Sequence, residues 1–185
     1  MAKDLKLNGE RVRQIPLFSN LNEYEAETLI KITSIKVFKK DEAIFMEGSP
    51  GDALYLILDG TVDIVKRVDD KTFKTLARFK KDHAFGEMTL IFNEVSNRNA
   101  SAIARERTRV LIIFKEDFKQ LIDFGSIIAY KVTLNLCRIL SERLSRVDRE
   151  LVEIINEADE KTRAVLETFM KRRNSILQDE EEEHE

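Results

Sequence analysis

After Gly125 the chain has neither glycine nor proline. The rest of the chain therefore holds neither of the two residues that most readily break a helix. It opens "SIIAYKVTLNLCRILSERLSRVDRELVEIINE", rich in leucine, arginine and glutamate. One long helix from Ser126 to Leu177 is expected, extending ~75–80 Å at ~1.5 Å per residue. Within it Cys137, Leu140, Leu144, Val147, Leu151, Ile154 and Ala158 recur at intervals of three and four, with charges such as Glu142, Arg143, Arg149 and Glu150 elsewhere. Such a seam needs a partner, and parallel self-association into a homodimer is expected, with Cys137 read as a small buried apolar residue. Past Ala158 the register slips to Val165 or Leu166 and Phe169, a stutter that would locally unwind a supercoil. The closing "QDEEEEHE" reads as a solvated acidic tail.

The chain before Ser126 follows a different rule. Its short apolar runs, "SIKVFKK", "AIFMEG", "ALYLILDGTVDIVKRV", "KTFKTLARF", "ASAIARE" and "RVLIIFK", are punctuated by turn residues and predict a β sandwich or barrel. Asp59-Gly60, between Leu54, Leu56, Leu58 and Val62, Ile64, predicts a hairpin. Gly48 and Gly51 around Ser49-Pro50 predict a tight turn. Upstream, "LNEYEAETLIKI" predicts a short amphipathic helix with Leu21, Tyr24, Leu29 and Ile32 inward and Ser19 or Asn20 as cap.

Composition excludes several function classes. No apolar run approaches the ~18–20 residues of a membrane span, and the first residues lack the apolar core of a secretory signal. A cytoplasmic protein with no membrane partner is expected. The 31 basic and 34 acidic residues leave a net charge of −3, which argues against a surface built for nucleic acid. With His83 and His184 as the only histidines, a His-rich metal site cannot be assembled, so no metal is expected. His83 is read as a surface loop residue, and no base for a serine or cysteine nucleophile is evident.

The stretch "FGEMTLIFNEVSNRNASA", Phe85 to Ala102, carries charges that a core strand has no use for. Gly86 permits close backbone approach, and "EMTLIF" can form one helical turn with free N–H groups. Arg98 brings a planar guanidinium able to hold two phosphate oxygens at once, and Ala100 and Ser101 keep the approach open. An ionised Glu87 only accepts hydrogen bonds, and a ribose hydroxyl is the natural donor beside an anion. A phosphate and a sugar hydroxyl held close together describe a nucleotide.

This stretch resembles the phosphate-binding cassette of the cyclic nucleotide-binding domain family, which includes catabolite activator proteins, kinase regulatory subunits and nucleotide-gated channels. The pattern F-G-E, small or apolar residues, then R-x-A-[ST] is matched by Phe85, Gly86, Glu87, Met88, Thr89, Leu90, Arg98, Ala100 and Ser101. The likeness extends from about Ile15 to Leu151, through "IPLFSNL", the Gly-Asp-containing "AIFMEGSPGDALYLILDGTVDIV" and "FKQLI". It implies a mainly β fold, an eight-stranded jelly roll with a short N-terminal helix and one long C-terminal helix. The implied organisation is an N-terminal segment 1–14, a nucleotide-binding jelly roll 15–125, a dimerisation helix 126–177 and an acidic tail 178–185.

By that resemblance Glu87 would bind the ribose 2′-hydroxyl and Arg98 the cyclic phosphate of cAMP or cGMP, with backbone donors from Gly86, Met88 and Thr89. Phe45, Ile64, Leu76 and Ala77 would wall the base and sugar. The long helix would supply a lid near Arg143, Arg146, Val147 and Asp148. "IFNEVSN" is slightly longer than the family pattern and lacks a proline before Arg98. Asn99 stands where relatives often have Ala, Ser or Thr, which leaves the choice between cAMP and cGMP open.

The expected function is a non-enzymatic receptor that relays ligand binding through lid and dimer helix to an effector protein the sequence does not name. No helix-turn-helix segment is recognised after the long helix, and five glutamates in the last seven residues would repel DNA. The alternatives are a coiled-coil scaffold with a degenerate pocket, in which Glu87 and Arg98 merely pair, and a DNA-binding regulator. "KRRNSI", Lys171 to Ile176, resembles a kinase target at Ser175 but is read as the basic end of a helix.

Overall fold

The computed structural model describes residues 7–69, 72–91, 97–160 and 162–171. The chain divides into two units, Met1–Cys137 and Arg138–Glu185. In the first, eight strands form two antiparallel four-stranded sheets. They are β1 (Thr33–Phe38), β2 (Ala43–Phe45), β3 (Ala53–Asp59), β4 (Thr61–Arg67), β5 (Phe73–Lys80), β6 (Ala84–Phe85), β7 (Ser101–Ala104) and β8 (Thr108–Phe114). The sheet orders β1-β8-β3-β6 and β2-β7-β4-β5 give the expected jelly roll.

Strand alternation builds the core. Ala53, Tyr55 and Ile57 of β3 meet Val62 of β4, Ala102 and Ala104 of β7, and Val110 and Ile112 of β8, with Phe38 and Phe85 in the same cluster. Leu54 and Leu56 are buried too, so β3 is apolar on both faces, as its unbroken run "ALYLIL" requires.

The Asp59-Gly60 hairpin is not formed. β3 pairs with β6 and β8, whereas β4 pairs with β5 and β7, so this turn carries the chain from one sheet to the other. Gly60 takes φ +99°, and a Cβ there would lie 2.5 Å from the Thr108 hydroxyl. Glycine thus lets this crossover pack closely on buried Thr108. The hairpin in this region joins β4 to β5, closed by a bond from the Val68 N–H to the Thr72 carbonyl.

The helices of the first unit are α1 (Gly9–Arg13), a 3₁₀ turn at Pro16–Phe18, α2 (Glu23–Lys31), α3 (Met88–Ile91), α4 (Lys115–Asp123) and the start of α5 (Ile127–Glu157). Helix α2 is capped by Asn22, not by Ser19 or Asn20: the Asn22 side chain accepts from the Glu25 N–H and Glu25 bonds back to the Asn22 N–H. That start turns Tyr24 outward, contrary to expectation, and brings Glu25 inward with Leu21 and Leu29. Glu25 meets Lys131 of α5 at 2.8 Å. Buried Asn135 donates to the Leu17 carbonyl and accepts from Asn20, which explains why Asn20 is not a cap.

Helix α5 runs to Glu157 and stops at Ala158 and Asp159, so the single helix expected to Leu177 is interrupted where the seam slips. Asp159 opens a new helical segment, its carboxylate accepting the Thr162 N–H and its carbonyl the Arg163 N–H. Arg163 caps the carbonyls of Ile155, Asn156 and Ala158. Polar capping within the unit thus ends the helix without glycine or proline. Helical residues continue to 171, and Ser175 and the acidic tail lie outside the described residues. Of the expected seam, Leu144, Val147 and Ile154 are exposed and Leu140 and Leu151 half-buried. Cys137 is exposed, not buried: the α5 residues facing the interior are Ile128, Ala129, Val132, Asn135 and Leu136.

Candidate functional site

Arg98 is buried, with 6% of its surface exposed. Its backbone is fixed first. The Gly48 N–H donates to the Arg98 carbonyl and the Arg98 N–H to the Ser49 carbonyl, each at 2.8 Å. The turn "GSPG" is thus the clamp for the arginine as well as the link from β2 to β3.

The side chain then passes over the aromatic floor of the core. Its Cζ lies 4.2 Å from the Phe45 ring centre and 5.5 Å from that of Tyr55. Phe85 stacks on Tyr55 at 5.4 Å. Nη1 donates to the Gly86 carbonyl at 3.2 Å and the Thr89 hydroxyl at 3.0 Å. Nη2 donates to Asp52 at 3.0 Å and the Ala53 carbonyl at 2.9 Å. An arginine has five N–H donors, and these four bonds account for the terminal ones. The remaining donor, Nε, is buried without a hydrogen-bond partner among the described residues. Burying such a group costs roughly 1–3 kcal/mol unless something accepts from it.

Two residue choices follow from this cradle. Gly86 has φ +74°, and a Cβ there would sit 2.8 Å from Arg98 Nη1. Glycine therefore admits the guanidinium as well as the turn. Burial raises the Tyr55 hydroxyl above its usual pKa, with the neighbouring Asp52 charge adding to the shift, so the phenol stays neutral beside the arginine.

The other expected residues divide into groups. Phe45 lies beneath Arg98 and packs against Phe85, and the Thr89 hydroxyl holds the arginine. Buried Ser101 accepts the Glu47 N–H through its hydroxyl, which ties β7 to the clamp. Glu87 and Ala100 are half-buried, and Met88 and Asn99 exposed, with Asn99 3.7 Å from the Met88 sulfur. Ile64 pairs with Ala77 across β4 and β5, and Leu76 occupies the register shift beside them and is 62% exposed. Arg143, Arg146, Val147 and Asp148 belong to the second unit.

Sequence reasoning missed Asp52 as an arginine partner. The available signal was an acidic residue abutting an all-apolar strand in "GDALYLIL". His83 lies in a surface turn, stacked on Phe79. Among the described residues no group of three or more His, Cys, Asp or Glu side chains could hold a metal ion, and no helix is long and apolar enough to cross a membrane.

Residues 35–123 match the family model described as the cyclic nucleotide-binding domain. The chain is 33% identical over 136 residues to the cyclic AMP receptor protein of Thermus thermophilus, covering 74% of this chain and 60% of that protein. It thus spans less than two thirds of that relative's length. A cyclic nucleotide-binding domain from Methylobacillus flagellatus is similar in structure, with a TM-score of 0.68, 29% identity, and coverage of 78% of this chain and 81% of that one. So is the regulatory subunit of a cAMP-independent protein kinase A from Trypanosoma brucei, a mutant bound to cAMP in the A site. Its TM-score is 0.59 at 27% identity, over 69% of this chain and 44% of that one. The matched stretch begins within β1 and ends with α4, taking in the clamp, the aromatic floor and the whole arginine cradle, and this part of the chain belongs to the cyclic nucleotide-binding domain family.

Proposed function

We propose that the chain is a non-enzymatic, cytoplasmic cyclic nucleotide receptor whose ligand is held at Arg98. The observation that carries this reading is the buried Nε–H of Arg98 with no acceptor among the described residues. A phosphate oxygen would satisfy it. Nε and Nη2 form one edge of the guanidinium fork, and Asp52 on Nη2 is 61% exposed in its side chain. Of the four internal bonds, the one to Asp52 is therefore the one a phosphate can share or displace at least cost, giving the two-oxygen grip expected of arginine. In this reading Glu87 accepts from the ribose 2′-hydroxyl, and Ile64, Leu76 and Ala77 border the base and sugar.

The names of the relatives favour cAMP, and cGMP is the competing ligand. Arg143, Arg146, Val147 and Asp148 would cover the base, and the seam from Leu140 to Ile154 would pair with a second copy. Ligand binding would favour one arrangement of that helix, which an effector protein reads. A differential of about 2–3 kcal/mol shifts such a population by roughly two orders of magnitude.

A second reading draws on the same bonds. Since all four terminal donors of Arg98 are satisfied within the protein, the arginine could be purely structural and the chain a ligand-free scaffold. Calorimetric titration of ligand-stripped protein with cAMP and cGMP, beside Arg98→Ala, separates the two. Micromolar or tighter binding that is lost in the variant supports the receptor. Absence of heat with both nucleotides supports the scaffold.

A further inference from the structure

Along β4 the two-residue alternation sets Val62, Ile64 and Lys66 in one row. Val62 is fully buried in the core and Ile64 packs against it, so Lys66 stands at the open end of an apolar row. Its ammonium donates to the Asn99 carbonyl and pairs with Glu47 at 2.8 Å. Asn99 directly follows Arg98. Glu47 is itself anchored, its second oxygen accepting the Arg67 N–H and its backbone N–H donating to the Ser101 hydroxyl. A positive charge is therefore fixed beside the turn that carries Arg98.

Structure alone does not require this charge. Asn99 is exposed, so water could serve its carbonyl, and a half-exposed ion pair adds at most about 1 kcal/mol. Lys66 also lies directly opposite Lys74 in the β4–β5 register, where like charges repel. Two lysines side by side at the mouth of the apolar row, next to a buried arginine, are what an anion would offset.

We propose that Lys66 is a second cationic determinant of ligand binding, setting affinity for the anionic phosphate alongside Arg98, with Glu47 tempering its charge. The inference rests on the receptor reading above and names a residue outside the cassette as part of the same site.

The test is the affinity of the full chain for cAMP in wild type, Lys66→Met, Lys66→Arg and Glu47→Gln, at 0.05 M and 1 M salt. Screening shortens from beyond 10 Å to about 3 Å over that range, so a charge effect must fade. Lys66→Met is expected to weaken binding about three- to fivefold at low salt and hardly at all at high salt. Lys66→Arg should stay within about twofold of wild type, and Glu47→Gln should bind more tightly at low salt. Unchanged affinity in Lys66→Met with a binding wild type overturns this inference alone. A loss independent of salt overturns it too, because it marks a lysine that only props the strand. A wild type that binds no cyclic nucleotide overturns the receptor reading and this inference together.

Discussion

Arg98 is the residue on which site and stability meet. Truncation to alanine leaves the Gly86 and Ala53 carbonyls and the Thr89 hydroxyl without their donor and empties the space above Phe45. Urea denaturation without nucleotide is expected to show a loss of about 2–4 kcal/mol. Lys at this position should lose nearly as much, since an ammonium offers three donors and no planar fork. Gly86→Ala should cost about 1–3 kcal/mol from the left-handed backbone, and its Cβ would press on Nη1, so cAMP affinity should fall with stability. A variant as stable as wild type would mean that the arginine is not held as described. The nearness of Gly86 to Arg98 was legible in the sequence because their spacing is a local pattern. Asp52 was not, since it reaches Arg98 from 46 positions away through the fold. Phe45 was read as a pocket wall, and its place beneath the arginine was not legible, because an apolar residue at a strand end looks the same from sequence whichever way the chain turns.

At the scale of elements, every apolar run read as a strand became one, and only β6, two residues long, was missed. Periodicity reports which residues face inward, but not which sheet a strand joins, and the Asp59-Gly60 turn shows the difference. Two polar links hold elements together. Glu25 of α2 is kept below the usual carboxylate range first by its bond to Lys131 of α5. Asp63 of β4 is likewise lowered, chiefly by the Arg78 fork, with Arg105 adding charge. A depressed folded pKa means that each link is fully present above the unfolded value and is lost as pH falls through the folded one. The melting temperature should therefore change little through these groups from neutral pH down to about pH 5, then fall below roughly pH 4. Glu25→Gln should flatten part of that acid limb in thermal melts. An unchanged acid limb in that variant would show that the Glu25 link contributes nothing.

For the whole molecule, the long helix was legible from missing glycine and proline, but its end was not, because Asp159 and Arg163 stop it by capping. The pairing seam rests on periodicity, and its exposed Leu144, Val147 and Ile154 give it material for a partner. A ligand bound to the folded chain stabilises it by about 2.7 kcal/mol at one hundred times Kd, so function and stability are linked through the same arginine. The most direct measurement is the NMR signal of the Arg98 side-chain Nε–H, assigned by its disappearance in Arg98→Lys and followed during titration with cAMP. Binding through the orphan donor predicts a downfield shift and slowed solvent exchange of that one signal at saturation. Saturable cAMP binding with the Nε–H signal unmoved, or no binding at all, would contradict the account.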